Sequence, residues 1–397
     1  PRMVLVNDFY SNNPNGVDYS GVIDNLNNLF VCFRTTPNKL VIEKFGFDSS
    51  VASGKFQKGE RIFEIESQDI IYLPSLFATT QNEICLTYLE NTNKDVKIKF
   101  VKINGTGKSL INRSLEDSYK SQLNPYMAES NGLLYLVFQA KDKPISDVYF
   151  YNIILATSND YGTSWRYQTL VESNGENNQR PHIYIDRQQI HLVWEKEDEN
   201  LVSHINYKNY NLSYKNLDTF EISNKFSEAH QPFILKYNNF INFFWYDSLR
   251  GSFQTFWNFI NRVEVTEPKI LKNLSGRTLF TFPTLFNGKP ILFWLQTKDN
   301  ENTSIYYLKT DSFVSPPSIY ITNINKIYGE NVINKNSLSI NWNAKPDISG
   351  VKGFKTLLTK DPNEDISNEQ KMLSYNEDNV KYNDLIDGVW YFKIKAY

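Results

Sequence analysis

Residues 180–194, RPHIYIDRQQIHLVW, hold a proline, an apolar strand, a polar turn and a second apolar strand that stops on a large aromatic. The same order recurs as YLPSLFATTQNEICLTY (72–88), NPYMAESNGLLYLVF (124–138), QPFILKYNNFINFFW (231–245) and FPTLFNGKPILFW (282–294). The prolines, Pro74, Pro125, Pro181, Pro232 and Pro283, are 51, 56, 51 and 51 residues apart. The aromatics Tyr88, Phe138, Trp194, Trp245 and Trp294 keep step at 50, 56, 51 and 49. Two landmarks held in register over five copies mark a tandem repeat. An earlier stretch, YSGVIDNLNNLFVCF (19–33), places Phe33 55 residues before Tyr88, with Ser20 where the proline would stand, and makes a sixth copy.

Each copy continues into a third strand of the type INYKNYNL (205–212) or IYYLKTDSF (305–313) and an outer fourth. A unit of this length holding four strands is the size of one propeller blade, and helical periodicity is absent. Aromatics make up 15% of the 397 residues, and short apolar runs are punctuated by Asn, Asp, Gly and Pro, which is strand chemistry. The expected fold is all-β: a six-bladed propeller over residues 1–314. Copy six lacks its outer strand before Ser315-Pro316-Pro317, and Met3 to Asn7 is expected to supply it, sealing the ring.

A formal charge of −2 gives no field that would gather nucleic acid or an anionic membrane. No window has the eighteen or so apolar residues of a membrane-spanning helix. Cys32 and Cys85, each inside an apolar run, read as small buried residues with free thiols. The chain begins Pro1-Arg2-Met3 without a charged and apolar leader, so any export signal would have to have been removed before this numbering starts.

Within the third copy, Ser158 to Trp165 reads SNDYGTSW. It resembles the Asp-box, Ser-x-Asp-x-Gly-x-Ser/Thr-Trp, of sialidase-like (BNR-repeat) propellers, through Ser158, Asp160, Gly162, Ser164 and Trp165. The resemblance implies a turn between third and fourth strands, on the face away from the active site. The residues themselves describe a structural clasp, in which Asp160 accepts hydrogen bonds from its own turn, Gly162 takes positive φ and Trp165 packs between blades.

Residues 315–397 change pattern to NSLSINWNAKPDISGVKGFKTLL and YNDLIDGVWYFKIKAY. This resembles a fibronectin type III or related immunoglobulin-like β-sandwich. The resemblance puts Trp342 on the second strand and Phe354 on the third. Leu385, Gly388 and Tyr391 match the approach to the sixth strand, where the family has its tyrosine corner. A seventh strand is missing.

Sialidase-like propellers imply three arginines clamping a carboxylate, a Tyr–Glu nucleophile and an Asp acid. The string that carries the first arginine is here Tyr72-Leu73-Pro74, without it. Arg180 precedes Pro181 one residue out of register, so its side chain is expected to face the wrong way along a strand. Arg277 is a further candidate without a defining spacing. The loops that open on the ligand-carrying face hold Arg34, Glu90, Asp142, Arg180, Glu195, His230, Asp247 and Arg250. Glu195 and Asp247 follow the aromatics of neighbouring copies, so a glycosidase would use them with Arg34, Arg180 and Arg250.

The four histidines, His182, His191, His204 and His230, show no metal-ligand spacing, and no phosphate loop, dinucleotide turn or nucleophile motif implies a cofactor. The sequence reads as a non-catalytic binding or scaffold protein with protein partners in an extracytoplasmic bacterial assembly, in the periplasm or at the cell surface. The alternative is a divergent glycoside hydrolase or carbohydrate-binding propeller.

Overall fold

The computed structural model describes residues 19–48, 55–56, 58–92, 95–115, 119–142, 150–186, 189–223, 228–237, 240–249, 252–261, 264–270, 277–286, 289–297, 303–309, 318–324, 336–345 and 351–397. Among these there is no α-helix. Four four-stranded antiparallel sheets follow one another along the chain, beginning at Tyr19–Ile23, Ile70–Ala78, Tyr119–Ser130 and Asn177–Ile185. The fifth, from Ala229–Tyr237, has a short extra strand, and the sixth comprises Arg277–Phe286, Lys289–Thr297 and Thr303–Lys309. Met3 to Asn7, assigned from sequence to the sixth sheet, lies outside the described residues.

The repeat landmarks have a physical role in this stacking. Strand alternation sends successive side chains to opposite faces. Tyr88, Phe138, Trp194 and Trp245, on the second strands, all enter the apolar layer shared with the preceding sheet. Their neighbours Val137 and Val193 face the following sheet instead. The second to fifth sheets are therefore apolar on both faces, and the first strand of one sheet packs over the first three of the sheet before it. Cys32 and Cys85 are buried in these layers with free thiols, and burial pushes both thiol pKa values up.

In the second to fifth sheets the proline marks a β-bulge, whereas Pro283 of the sixth pairs in register with Leu292. Pairing slips between Tyr72 and Ser75, Leu123 and Tyr126, Gln179 and His182, and His230 and Phe233. The residue before each bulge proline takes left-handed backbone: Leu73 (φ 48), Asn124 (50), Arg180 (46) and Gln231 (50). The first strand is a sheet edge, where a residue without an N–H is tolerated. The bulge swings the preceding residue out of the strand's alternation. Immediately after it, Tyr126, His182 and Phe233 from three consecutive sheets meet, the first pair tilted at 3.4 Å and the second edge to face at 4.9 Å. Burial among these rings holds His182 well below the usual histidine range, hence neutral.

The Ser158–Trp165 turn joins third and fourth strands at the end of the sheet occupied by the first hairpin. Asp160 accepts from Ser158 Oγ and Ser164 N, both at 2.8 Å, and from Ser164 Oγ at 2.5 Å, bonds that bring its carboxyl down to about 2. The turn also grips the second sheet. Trp165 meets Phe100 edge to face at 5.4 Å, Gln81 donates to Tyr161 Oη at 2.8 Å, and Arg113 donates to the carbonyl of Thr163.

Beyond residue 317, Ser318–Ile324, Leu338–Lys345 and Asn379–Tyr382 form one sheet, and Leu373–Ser374, Gly353–Thr359 and Tyr391–Ala396 another. Trp342 and Phe354, at 5.6 Å, anchor the core between them. Tyr391, where the resemblance places the tyrosine corner, is 39% exposed; the Trp390 indole makes the backward bond, to Ile386 O at 3.0 Å. Tyr375 ties this unit to the fifth sheet, packing edge to face on Phe240 at 4.9 Å while lying near Phe354 at 6.0 Å.

Candidate functional site

The second strands leave, and the first strands enter, at one end of the sheets, here called the mouth. There the fourth sheet brings Arg180 and Glu195 together, and the fifth adds His230. Glu195 is only 1% exposed, on the strand Gln189–Glu197. Arg180 Nη1 donates to both its oxygens, at 2.7 and 2.8 Å. Ser203 Oγ donates to Oε1 at 3.1 Å, His230 Nδ1 lies 3.1 Å from that oxygen, and the Gln231 N–H donates to Oε2 at 3.2 Å. Glu228 Oε1 lies 3.2 Å from the other nitrogen of His230, whose ring rests against Tyr246 at 5.3 Å.

Arg180 thus corrects the expectation from strand alternation: the bulge re-aims its side chain at the carboxylate of its own sheet. Its left-handed backbone is held from the neighbouring sheet, where Gln139 Oε1 accepts the Arg180 N–H at 2.8 Å and Asn124 Nδ2 at 2.7 Å. Gln139 and Glu195 occupy the same place in the repeat, one residue past the aromatic. Each caps the bulge N–H of the next sheet, so the arrangement is a repeated joint with a charge added in one copy. Gln139, Asn124, Ser203, Gln231 and Glu228 were not among the sequence candidates; comparing that one column across repeats would have found the first.

Arg34 and Glu90 have partners of their own. Arg34 donates to Ile71 O at 3.4 Å, and Glu90 is held by Ser67 Oγ and Lys99 Nζ, both at 2.7 Å. Asp247 is fully buried on the second strand of the fifth sheet, opposite Ala229. The side chain of Asp142, and Arg250 and the side chain of Arg277, lie outside the described residues. No group of three or more His, Cys, Asp or Glu among the described residues could hold a metal ion.

Burial pushes the Glu195 carboxyl upward, but the His230 hydrogen bond and the Arg180 charge outweigh it and leave the group below the usual range. Burial pulls His230 down, and its bond to Glu195, helped by Glu228, more than reverses this, so it titrates above the usual histidine range. The carboxylate's contribution to stability is present above about pH 4.5 and lost as pH falls through its lowered value. The imidazolium's is complete below about pH 6.5 and lost as pH rises through its raised value. The stability difference between the wild type and Glu195→Gln is therefore expected to peak between these limits and shrink toward pH 8. Urea unfolding across pH checks this, and a difference constant from pH 5 to 8 would refute the coupling. The neutral His182 pulls overall stability the other way on acidification, which is why the comparison must be made against the variant.

No protein-family model matches the chain, and no curated protein matches its sequence. Among solved structures, the α-L-arabinanase of Penicillium chrysogenum, complexed with arabinobiose, superposes with a TM-score of 0.54 at 10% identity, over 75% of this chain and 94% of its own. The fold is a β-propeller. The polysaccharide lyase Uly1 aligns with a TM-score of 0.50 at 9% identity, over 73% of this chain and 76% of its own. At such identities the likeness of the propeller to these structures speaks to fold alone.

Chemically, Glu195 is a fixed anion rather than a proton donor. A glycosidic general acid needs a raised carboxyl pKa, and here the surrounding donors lower it. Arg180 is different: its side chain is 39% exposed, and a single nitrogen makes both bonds to Glu195, which leaves the rest of the guanidinium available to a ligand oxygen.

Proposed function

We propose that this chain is a carbohydrate-binding propeller whose mouth receives a saccharide, with Arg180 as the contact residue and Glu195 as the residue that positions it. The carrying observation is the Arg180–Glu195 pair, a buried carboxylate spending its lone pairs on orienting one half-exposed guanidinium at the mouth of three sheets. The likeness to an arabinanase and a polysaccharide lyase supports this reading over a protein scaffold. The protein-binding alternative attaches to the C-terminal unit, where Ile386 and Val389 are each 69% exposed. In this reading the propeller has six blades over residues 1–314, carries one full Asp-box turn of the sialidase-like type, and is followed by a fibronectin type III-like unit over 315–397 in an extracytoplasmic protein.

The test is binding of arabinobiose and of an array of neutral and acidic oligosaccharides to the intact chain. Arg180→Ala is expected to lower affinity at least about tenfold, the loss of a charged hydrogen bond, while leaving the far-ultraviolet spectrum unchanged. Full binding by Arg180→Ala, or no binding of any saccharide, would refute it.

A further inference from the structure

A second built feature lies at the other end of the fourth sheet. From Glu195 back to Gln189 the second strand runs six residues, about 20 Å at roughly 3.3 Å per residue. There a cavity of about 180 Å³ opens between the fourth and fifth sheets. One wall is a ladder of near-parallel rings, with Tyr207 stacked 6.1 Å from His191 on one side and 6.1 Å from Phe220 on the other. Ile241 and Ile260 extend the apolar surface.

The polar groups around it are ordered. His191 lies 2.7 Å from Tyr207 Oη and 3.4 Å from Asp186, and Lys236 Nζ lies 3.4 Å from the same Asp186 oxygen. Asn209, only 7% exposed, donates to Gln189 Oε1 at 3.2 Å, but its buried Oδ1 has no hydrogen-bond partner. Buried polar atoms are almost always satisfied. An orphaned acceptor lining a cavity asks for a donor from outside the protein.

The lining selects the ligand class. Asp186 and Asp218 disfavour an anion. Asn209 Oδ1 and the carboxylates accept, Lys236 and the Gln189 amide donate, and the rings and isoleucines offer an apolar wall, so both signs of hydrogen bond surround one hydrophobic surface. A polyhydroxylated ring has that character. The volume is below the roughly 300–1,000 Å³ of pockets for larger ligands, which suits one ring rather than a chain. We propose that this basal cavity binds a neutral monosaccharide or a single terminal sugar unit, independently of the Arg180 mouth.

The probes are D-glucose, D-galactose, D-mannose, L-arabinose and N-acetyl-D-glucosamine, followed by saturation-transfer NMR and by the unfolding midpoint of the intact chain. At least one is expected to bind at millimolar concentration and raise the midpoint. Asn209→Leu should weaken that sugar by about tenfold or more while its sugar-free midpoint stays level or rises, because an unpaired carbonyl has been replaced by an apolar group. Lys236→Met, at the partly exposed rim, should weaken the same sugar without disturbing the core, and Arg180→Ala should leave it bound. The proposal is overturned if none of the five binds, if neither Asn209→Leu nor Lys236→Met weakens binding, or if Arg180→Ala abolishes it. That last result would assign the sugar to the mouth.

Discussion

Glu195→Leu is expected to destabilise the propeller by about 3 kcal/mol, because Glu195 is buried and each buried donor left unsatisfied costs about 1–3 kcal/mol. The substitution leaves the Arg180 guanidinium, the His230 imidazole, the Ser203 hydroxyl and the Gln231 N–H facing an apolar side chain. Much of the loss comes from those stranded donors, so the double variant Arg180→Met/Glu195→Leu should recover a large part of it. Glu195→Gln, which keeps the volume and some hydrogen bonds, should fall between. Denaturant midpoints of the three variants decide the matter. A double variant no more stable than Glu195→Leu would mean that the pair contributes nothing as a unit.

Gly162→Ala carries the second large effect. Gly162 has φ +95, a backbone region that penalises any Cβ, and the added methyl would meet Phe100 Cε1 at 2.4 Å. Left-handed strain and overpacking cost about 1–3 kcal/mol each, so a loss of about 2–6 kcal/mol is expected. Because Phe100 belongs to the second sheet and Gly162 to the third, the loss should appear in the cooperative unfolding of both. Gly175, with φ +88 but no atom near its missing Cβ, isolates the backbone share. Equal effects of alanine at the two positions would show that the contact with Phe100 plays no part.

The order of the sheets was legible because the repeat couples two requirements. A proline belongs on an edge strand or bulge, and an aromatic one strand later fills the gap toward the previous sheet, as Trp194 and Trp245 do. The site was only half legible. Glu195 and His230 could be placed at the mouth by counting loops, but the aim of Arg180 could not, because period-two counting assumes an unbroken strand. A residue before proline is normally extended, and nothing about Leu73 or Gln231 announces left-handed backbone. Only Asn124, a residue that tolerates that conformation, gave a hint. The basal cavity left no trace in the sequence, since His191, Tyr207 and Asn209 sit at ordinary strand positions of the fourth sheet and the cavity they line depends on how the fifth sheet, with Lys236, Ile241 and Ile260, leans on it.

The pre-proline bulge interrupts strand alternation once in each of the second to fifth sheets, so what lies before it answers to the mouth and what lies after it answers to the core. The two residues just ahead of the prolines are Tyr72 and Leu73, Leu123 and Asn124, Gln179 and Arg180, His230 and Gln231, a diverse set on one conserved backbone geometry. Such a joint is a socket for exchange: the chemistry presented at the mouth can be rewritten pair by pair, with the interior of each blade left in frame.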